Sequence, residues 1–312
     1  MSRDVGAKIS VCLLAYNHVG LIESTVRSIL DQTVAGQEIL ISDDQSEDGT
    51  WERIQALAAE DARIRALRTP RNLGMAANAN FAVSHSTRPY VALLHHDDLY
   101  RADLLEKWAD VLERHPGALF AFNYYGVHDS TEMYTQPIAE ELVDGRFFFS
   151  YMLRFWGCPV RGTAMIRRSA WDRLGGMREQ FGMLADIDLW MRLSRSGDVG
   201  YVHEPIITVR QERPDYYPDD YKPVHSWDRQ RLLYEVHAQN RLETGERALA
   251  GRLRWWMFRY RVTRATLWWL AYAVYKRKPE LIATSDRGAT PYDLPGLGLV
   301  RRVLQSLVSV AR

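Results

Sequence analysis

Residues 9 to 15, ISVCLLA, form an almost unbroken apolar run, and this feature limits the fold more than any other. A strand with one wet face alternates apolar and polar residues, so a run without alternation belongs to a strand covered by helices on both sides. EILIS at 38 to 42 repeats the pattern, and between the two runs Leu21, Ile22, Val26 and Ile29 recur at helical spacing. The three segments make a βαβ unit. Beyond them, Thr50 to Ala59 reads as a helix, Ile64 to Leu67 as a strand, Ala76 to Ser84 as a helix and Tyr90 to Leu94 as another buried strand. An amphipathic helix over Asp103 to Leu112 stops near Pro116, and Ala118 to Tyr124 reads as one more strand. The alternation predicts an α/β fold with a mostly parallel sheet and helices on both faces.

Such sheets carry their chemistry beyond the carboxyl ends of the strands, where polar side chains do not disturb the core. Three strand ends here are polar. The first runs through Ala15 into Tyr16, Asn17 and His18, the second into Asp43 and Asp44, and the strand at 90 to 94 into His95, His96, Asp97 and Asp98. They describe a crevice lined with carboxylates. The last quartet by itself fits metal ligands, a charged turn or half of an acid/base pair. From 128 to 160 the pattern weakens, and the aromatics of RFFFSYMLRFWG suit an irregular lid or a short helix. TAMIRRSAWDRLGG reads as a strand turning into a helix that ends at the Gly175–Gly176 turn, and ADIDLWMRLSRSG as a helix capped by Gly197.

Composition removes several classes. Forty Lys and Arg against 39 Asp and Glu leave a net charge of +1, which argues against a general nucleic-acid binder. Cys12, inside an apolar run, and Cys158, before a proline, lack metal-site spacing and suit buried thiols in a reducing compartment. MSRDVGAKIS has no apolar core of a signal peptide and no apolar run approaches membrane-spanning length, so a cytoplasmic protein is expected. The first strand is followed by AYNHVGL, not a glycine fingerprint, which disfavours a nicotinamide-dependent enzyme.

Taken in order, ISVCLLAYNH, EILISDDQSEDGT, TPRNLGMAANAN, ALLHHDDLY, RGTAMIRRSAWDRLGG and ADIDLWMRLSRSG resemble the successive motifs of family 2 glycosyltransferases. These are inverting enzymes with the GT-A fold, many of them acting in bacterial cell-surface polysaccharide biosynthesis. The resemblance spans residues 9 to about 210 and implies a nucleotide-sugar domain over 1–210. It places Asp44, with Asp43 beside it and Ala15, Tyr16 and Asn17 nearby, against the donor nucleotide. A carboxylate there accepts the ring N–H of uracil or thymine, which implies a UDP- or dTDP-sugar. Asp48 and Thr50 are better explained as a cap of the following helix. Asn72, Gly74 and Asn80 match the next motif, but Ala79 stands where an arginine is expected. The diphosphate charge then falls more heavily on Mg²⁺ or Mn²⁺ and on another basic side chain; Arg71 is one candidate, a plain surface arginine the alternative.

In the third motif the family pattern is Asp-x-Asp-Asp. Asp97 and Asp98 supply hard oxygen ligands for Mg²⁺ or Mn²⁺. His95 replaces the missing first acid, placed to touch the ribose or metal-bound water, and His96 packs or hydrogen-bonds behind it. Asp186 matches the general base, although Ala185 replaces the glutamate that often precedes it; a helix N-cap is a role compatible with catalysis. Arg161, Gly162 and Thr163 form the acceptor side. Asp188, grouped with them, anchors the helix or binds a loop, and Arg192 balances it at i,i+4. His203 is expected in solvent. The departures at Ala79, Ala185 and His95 keep a second class open, a nucleotide-sugar binding or regulatory module with impaired catalysis.

Past residue 210 the resemblance fades. Residues 211–245 read as a lid loop and connecting helix, and 246–312 as a basic, aromatic helical extension. Its ATLWWLAYAVY run is too short to span a bilayer. The extension suits the cytoplasmic face of a membrane, where lipid-linked acceptors lie, or packing against the catalytic domain, or a second subunit in a homodimer.

Overall fold

The protein was analysed as a computed structural model that describes residues 3–131, 133–134, 138–155, 158–210 and 226–245, together with helical positions 256, 257, 259, 260, 263, 264, 267, 268, 271 and 275. The chain divides into two compact units, Met1–Tyr216 and Tyr217–Arg312.

In the first unit the strands are β1 (Ile9–Ala15), β2 (Glu38–Asp43), β3 (Ile64–Arg68), β4 (Tyr90–His95), β5 (Leu99–Tyr100), β6 (Ala118–Val127), β7 (Met133–Tyr134), β8 (Leu142–Val143), β9 (Ala164–Arg167) and β10 (Asp198–Val209). The α-helices are α1 (Val19–Leu30), α2 (Thr50–Glu60), α3 (Met75–Ser84), α4 (Leu104–Arg114), α5 (Gly145–Phe155), α6 (Arg168–Leu174) and α7 (Ala185–Ser196). They form one sheet in the order β3-β2-β1-β4-β9-β6-β10-β5, with β7 on β6 and β8 on β10. β3, β2, β1 and β4 are mutually parallel, as are β6 and β10, while β9 runs antiparallel between β4 and β6. The fold is α/β and GT-A-like.

Every residue of β1 is buried, as its lack of alternation requires. One core joins Ile9, Val11 and Leu13 of β1 to Ile22, Val26 and Ile29 of α1 and to Leu104, Leu105 and Trp108 of α4. Ala121 of β6 faces this core, whereas its neighbours Phe120 and Phe122 point to the other side of the sheet. There Phe120 packs on Trp190 of α7 and Phe148 of α5, and Phe122 packs on Tyr201, all fully buried. The aromatic segment is therefore ordered as α5, whose Phe148 and Met152 seal the sheet face. His203 lies inside the twelve-residue strand β10, exposed as expected.

Parallel register aligns the polar strand ends along one rim, with Ala15 opposite Asp43 and Leu14 opposite His95. Because β9 is antiparallel and pairs Ala164 with Leu93, the residues before it, 161–163, reach the same rim. Tyr100 pairs with Ile207, and so the end of β10 arrives there too. α7 is fixed by Asp188, which is fully buried and accepts from Arg192 Nε at 2.7 Å. The Arg192 guanidinium also donates to the carbonyls of Leu174 and Gly176, tying the helix to the Gly175–Gly176 turn.

Gly197 ends α7, but with extended backbone (φ 177°) in place of the expected left-handed cap. Its missing side chain matters for packing, because a Cβ would meet Leu119 Cγ at 2.6 Å. Gly200 of β10 is equally tight, with Val111 Cγ1 of α4 at 2.5 Å from a Cβ position. Gly200→Val should push α4 off the sheet and cost about 1–3 kcal/mol, read as a lower urea midpoint with an unchanged m-value.

Candidate active site

The first two strand ends build a cradle. Asp44 is nearly buried, and its carboxylate accepts from Thr69 Oγ1 (2.9 Å), Leu73 N–H (2.8 Å) and Gly74 N–H (2.8 Å). It thereby shapes the 69–74 loop, with one of about four acceptor positions left for a ligand. Asp43 is fully buried, accepts from Ser46 N–H at 3.1 Å and pairs with Arg68 at 3.2 Å, so it braces the loop from inside. Asn17, at φ 49°, accepts Glu47 N–H with its side chain, and Tyr16 stands exposed beside it. Asp48 accepts from Val19 N–H and Thr50 N–H, each at 3.0 Å, and so holds the starts of α1 and α2 together.

Two residues expected near the donor are spent on structure. Asn80 exchanges both amide groups with the backbone of Met177, each at 2.9 Å, and clamps the loop after Gly176. His96 donates Nδ1–H to the Leu14 carbonyl at 2.7 Å and meets His18 Nδ1 with its other nitrogen, so neither ring nitrogen faces the rim. Asn72 remains an exposed turn residue that caps Gly74 N–H at 3.2 Å. Gly74 needs its positive φ of 81° for this loop. Ala79 is fully buried in α3.

At the third strand end, ligand atoms of His95, Asp97 and Asp98 lie within 4.8 Å of one another. One imidazole nitrogen and two carboxylate oxygens make a donor set that fits Mn²⁺ or Mg²⁺, with donor oxygens to complete the shell. Tyr100 fixes this corner by accepting from His95 N–H at 2.8 Å and donating to the His95 carbonyl at 2.7 Å. Burial, and then the charges of Asp98 and Asp97, push its phenol up, so it keeps the proton it donates. Thr25 Oγ1 shares its one proton between the carbonyls of His96 and Asp98.

Arg210 was not singled out by its sequence context, a strand end without a motif. Its guanidinium donates to Ser24 Oγ at 2.7 Å, and the carboxylates of Asp98 and Asp97 attract it.

Gly162 joins the two halves of the site. At φ 81° it lies so close that a Cβ would stand 2.5 Å from His95 Cε1 and 3.3 Å from Asp186 Oδ2. Thr163 beside it has a buried hydroxyl with no hydrogen-bond partner among the described residues, and Arg161 is exposed over the Tyr125 ring at 5.5 Å. Asp186, in the first turn of α7, accepts Ile187 N–H at 2.8 Å. Desolvation pushes its carboxyl up to about 6, offset in part by this bond, by Trp190 and by Arg161. Trp190 is one helical turn on and fully buried, and its indole N–H makes no hydrogen bond of ordinary geometry among the described residues. Asp188, by contrast, is wholly enclosed by Arg192 and Arg178, which removes it from the acceptor side and leaves it as the anchor of the helix. Burial pushes the Cys12 thiol up and leaves it inert, while the part-exposed Cys158 is pushed up by desolvation and then by the charge of Asp186.

The model of glycosyl transferase family 2 matches residues 10–175. EpsE of Bacillus subtilis is 29% identical over 241 residues, covering 74% of this chain and 82% of EpsE. Among solved structures, S. aureus TarS 1-349 in complex with UDP-GlcNAc superposes with a TM-score of 0.62 at 15% identity, covering 89% of this chain and 79% of TarS 1-349. The mannosyltransferase PcManGT of Pyrobaculum calidifontis, in complex with GDP-Man and Mn²⁺, gives 0.55 at 17% identity, over 97% and 84% of the two chains. These two likenesses show the fold.

Three outcomes follow from the geometry and charge of the site. Gly162→Ala should lower activity by at least roughly tenfold while leaving the circular dichroism spectrum intact, because the added methyl displaces His95 at a backbone angle alanine avoids. A carboxylate must be ionised to take a proton, so kcat/KM should fall as pH drops through about 6. Trp190→Phe removes a group that favours the ionised form and should move that inflection upward in a pH–rate profile.

Proposed function

The chain belongs to glycosyl transferase family 2 and is a glycosyltransferase, and from this premise we propose that it transfers a sugar with inversion from a UDP- or dTDP-sugar to a hydroxyl of a saccharide or lipid-linked acceptor. The observation that carries the reading is the meeting of the His95 edge and Asp186 across the single side-chain-free position Gly162. A cation-binding corner with a desolvated carboxylate close by supplies the two groups that single displacement at an anomeric carbon needs.

In this reading Asp97 and Asp98, with His95 as a third ligand, hold Mg²⁺ or Mn²⁺ against the donor diphosphate. When bound, the ion neutralises the charge that builds on that leaving group. Asp186 removes the acceptor proton as the acceptor oxygen bonds to the anomeric carbon, and the bond from that carbon to the diphosphate breaks on the other face. Thr163 and Arg161 orient the acceptor. Arg210, half-buried beside Ser24 and within the field of Asp98 and Asp97, supplies the cation that the buried Ala79 lacks. The choice of uracil or thymine rests on the remaining acceptor position of Asp44; that TarS binds UDP-GlcNAc supports a uridine donor, whereas PcManGT binds GDP-Man.

Asp186→Asn should keep donor affinity and lose about 10²–10⁴ in kcat; unchanged turnover would remove Asp186 from the role of base. Proton NMR of the product formed from an α-linked donor should show a β-linkage, and retention would overturn inversion. Arg210→Ala should reduce kcat at saturating Mn²⁺, with partial rescue by lysine.

A further inference from the structure

Between Glu246 and Glu280 the chain carries nine lysines and arginines and no acid, interleaved with eight aromatic residues. All described positions in this interval are helical. Trp256, Met257, Tyr260, Trp268 and Tyr275 are 48–78% exposed, and Arg264 and Ala271 are exposed with them. On a helical template of about 100° per residue these seven positions fall within a sector of about 120°. The less exposed Arg259 and Thr263 fall on the adjoining sector, and Leu267 lies just inside the edge of the face. Trp256 and Tyr260 stack with ring centroids 6.0 Å apart, which keeps both aromatic groups on this face.

These side chains are exposed, so the core of their own unit, Tyr217–Arg312, does not take them up. A second copy would bring like charges together, since the interval has no acid to answer its bases. An anionic surface answers both features: its headgroups pair with the arginines and lysines, and its interface takes up indole and phenol rings. We propose that the face of Trp256, Tyr260, Trp268 and Tyr275 docks the enzyme on an anionic lipid bilayer. No helix among the described residues is long and apolar enough to cross a membrane, and the contact proposed is peripheral. The claim concerns where the enzyme sits and stands apart from the choice of donor.

Flotation of the full chain tests it, with vesicles of phosphatidylcholine alone or mixed with phosphatidylglycerol. The chain should float with the anionic vesicles only. Salt at 1 M, where the screening length is about 3 Å, should weaken the association. The W256S/Y260S/W268S/Y275S variant should lose flotation by roughly tenfold or more while keeping its circular dichroism spectrum and donor turnover in solution. Equal flotation of the variant, or no flotation of the parent chain, overturns the proposal. So does a dimer by light scattering that the variant converts to monomer, because that result assigns the face to a second copy.

Discussion

The site depends on one reversed strand. β9 enters the sheet antiparallel between β4 and β6, so its beginning, not its end, lies at the rim where the parallel strands finish. That reversal sets Arg161, Gly162 and Thr163 beside His95 and lets Asp186 approach from the start of α7. Were β9 parallel, Gly162 would emerge at the opposite edge, and the acceptor side would lie a strand length, roughly 15–20 Å, from the carboxylates. Packing enforces the arrangement: Asp188 and Arg192 fix α7 to the Gly176 turn, and Asn80 fixes the next residue to α3.

The donor half of the site was legible in the sequence because it is local. Each polar group there directly follows its own buried strand, and parallel pairing lines the strand ends up without further information. The acceptor half was legible only through the family resemblance, since nothing in RGTAMI by itself reveals that β9 is reversed. Polar residues whose partners lie far away in sequence were the hardest to interpret. Asn80, expected beside the donor, is engaged by the distant Met177, whereas the i,i+4 pair of Asp188 with Arg192 and the supporting place of His96 were readable from the sequence. Arg210 went the other way, a bare strand end carried to the carboxylates by the short pairing of β5 with β10.

Function here is built from groups that also serve the fold. Asp44 spends three acceptor positions on the 69–74 loop and keeps one, so in the proposed reading loop closure and base recognition share a single carboxylate. Such sharing makes the recognition group rigid before the ligand arrives, which lowers the entropy lost on binding. Asp186 shows the complementary case: burial that raises its carboxyl to about 6 leaves it ionised at neutral pH yet basic enough to accept a proton.

The central claim is that these strand ends form a metal-assisted site for a uracil- or thymine-bearing donor. Thermal unfolding of the chain with UDP, dTDP or GDP, each with and without Mn²⁺, addresses it directly, because a ligand that binds only the native state raises its melting temperature. The account predicts Mn²⁺-dependent stabilisation by UDP or dTDP, absent with GDP and lost in Asp97→Asn. Stabilisation by GDP alone, or by UDP to the same extent without Mn²⁺, would contradict it.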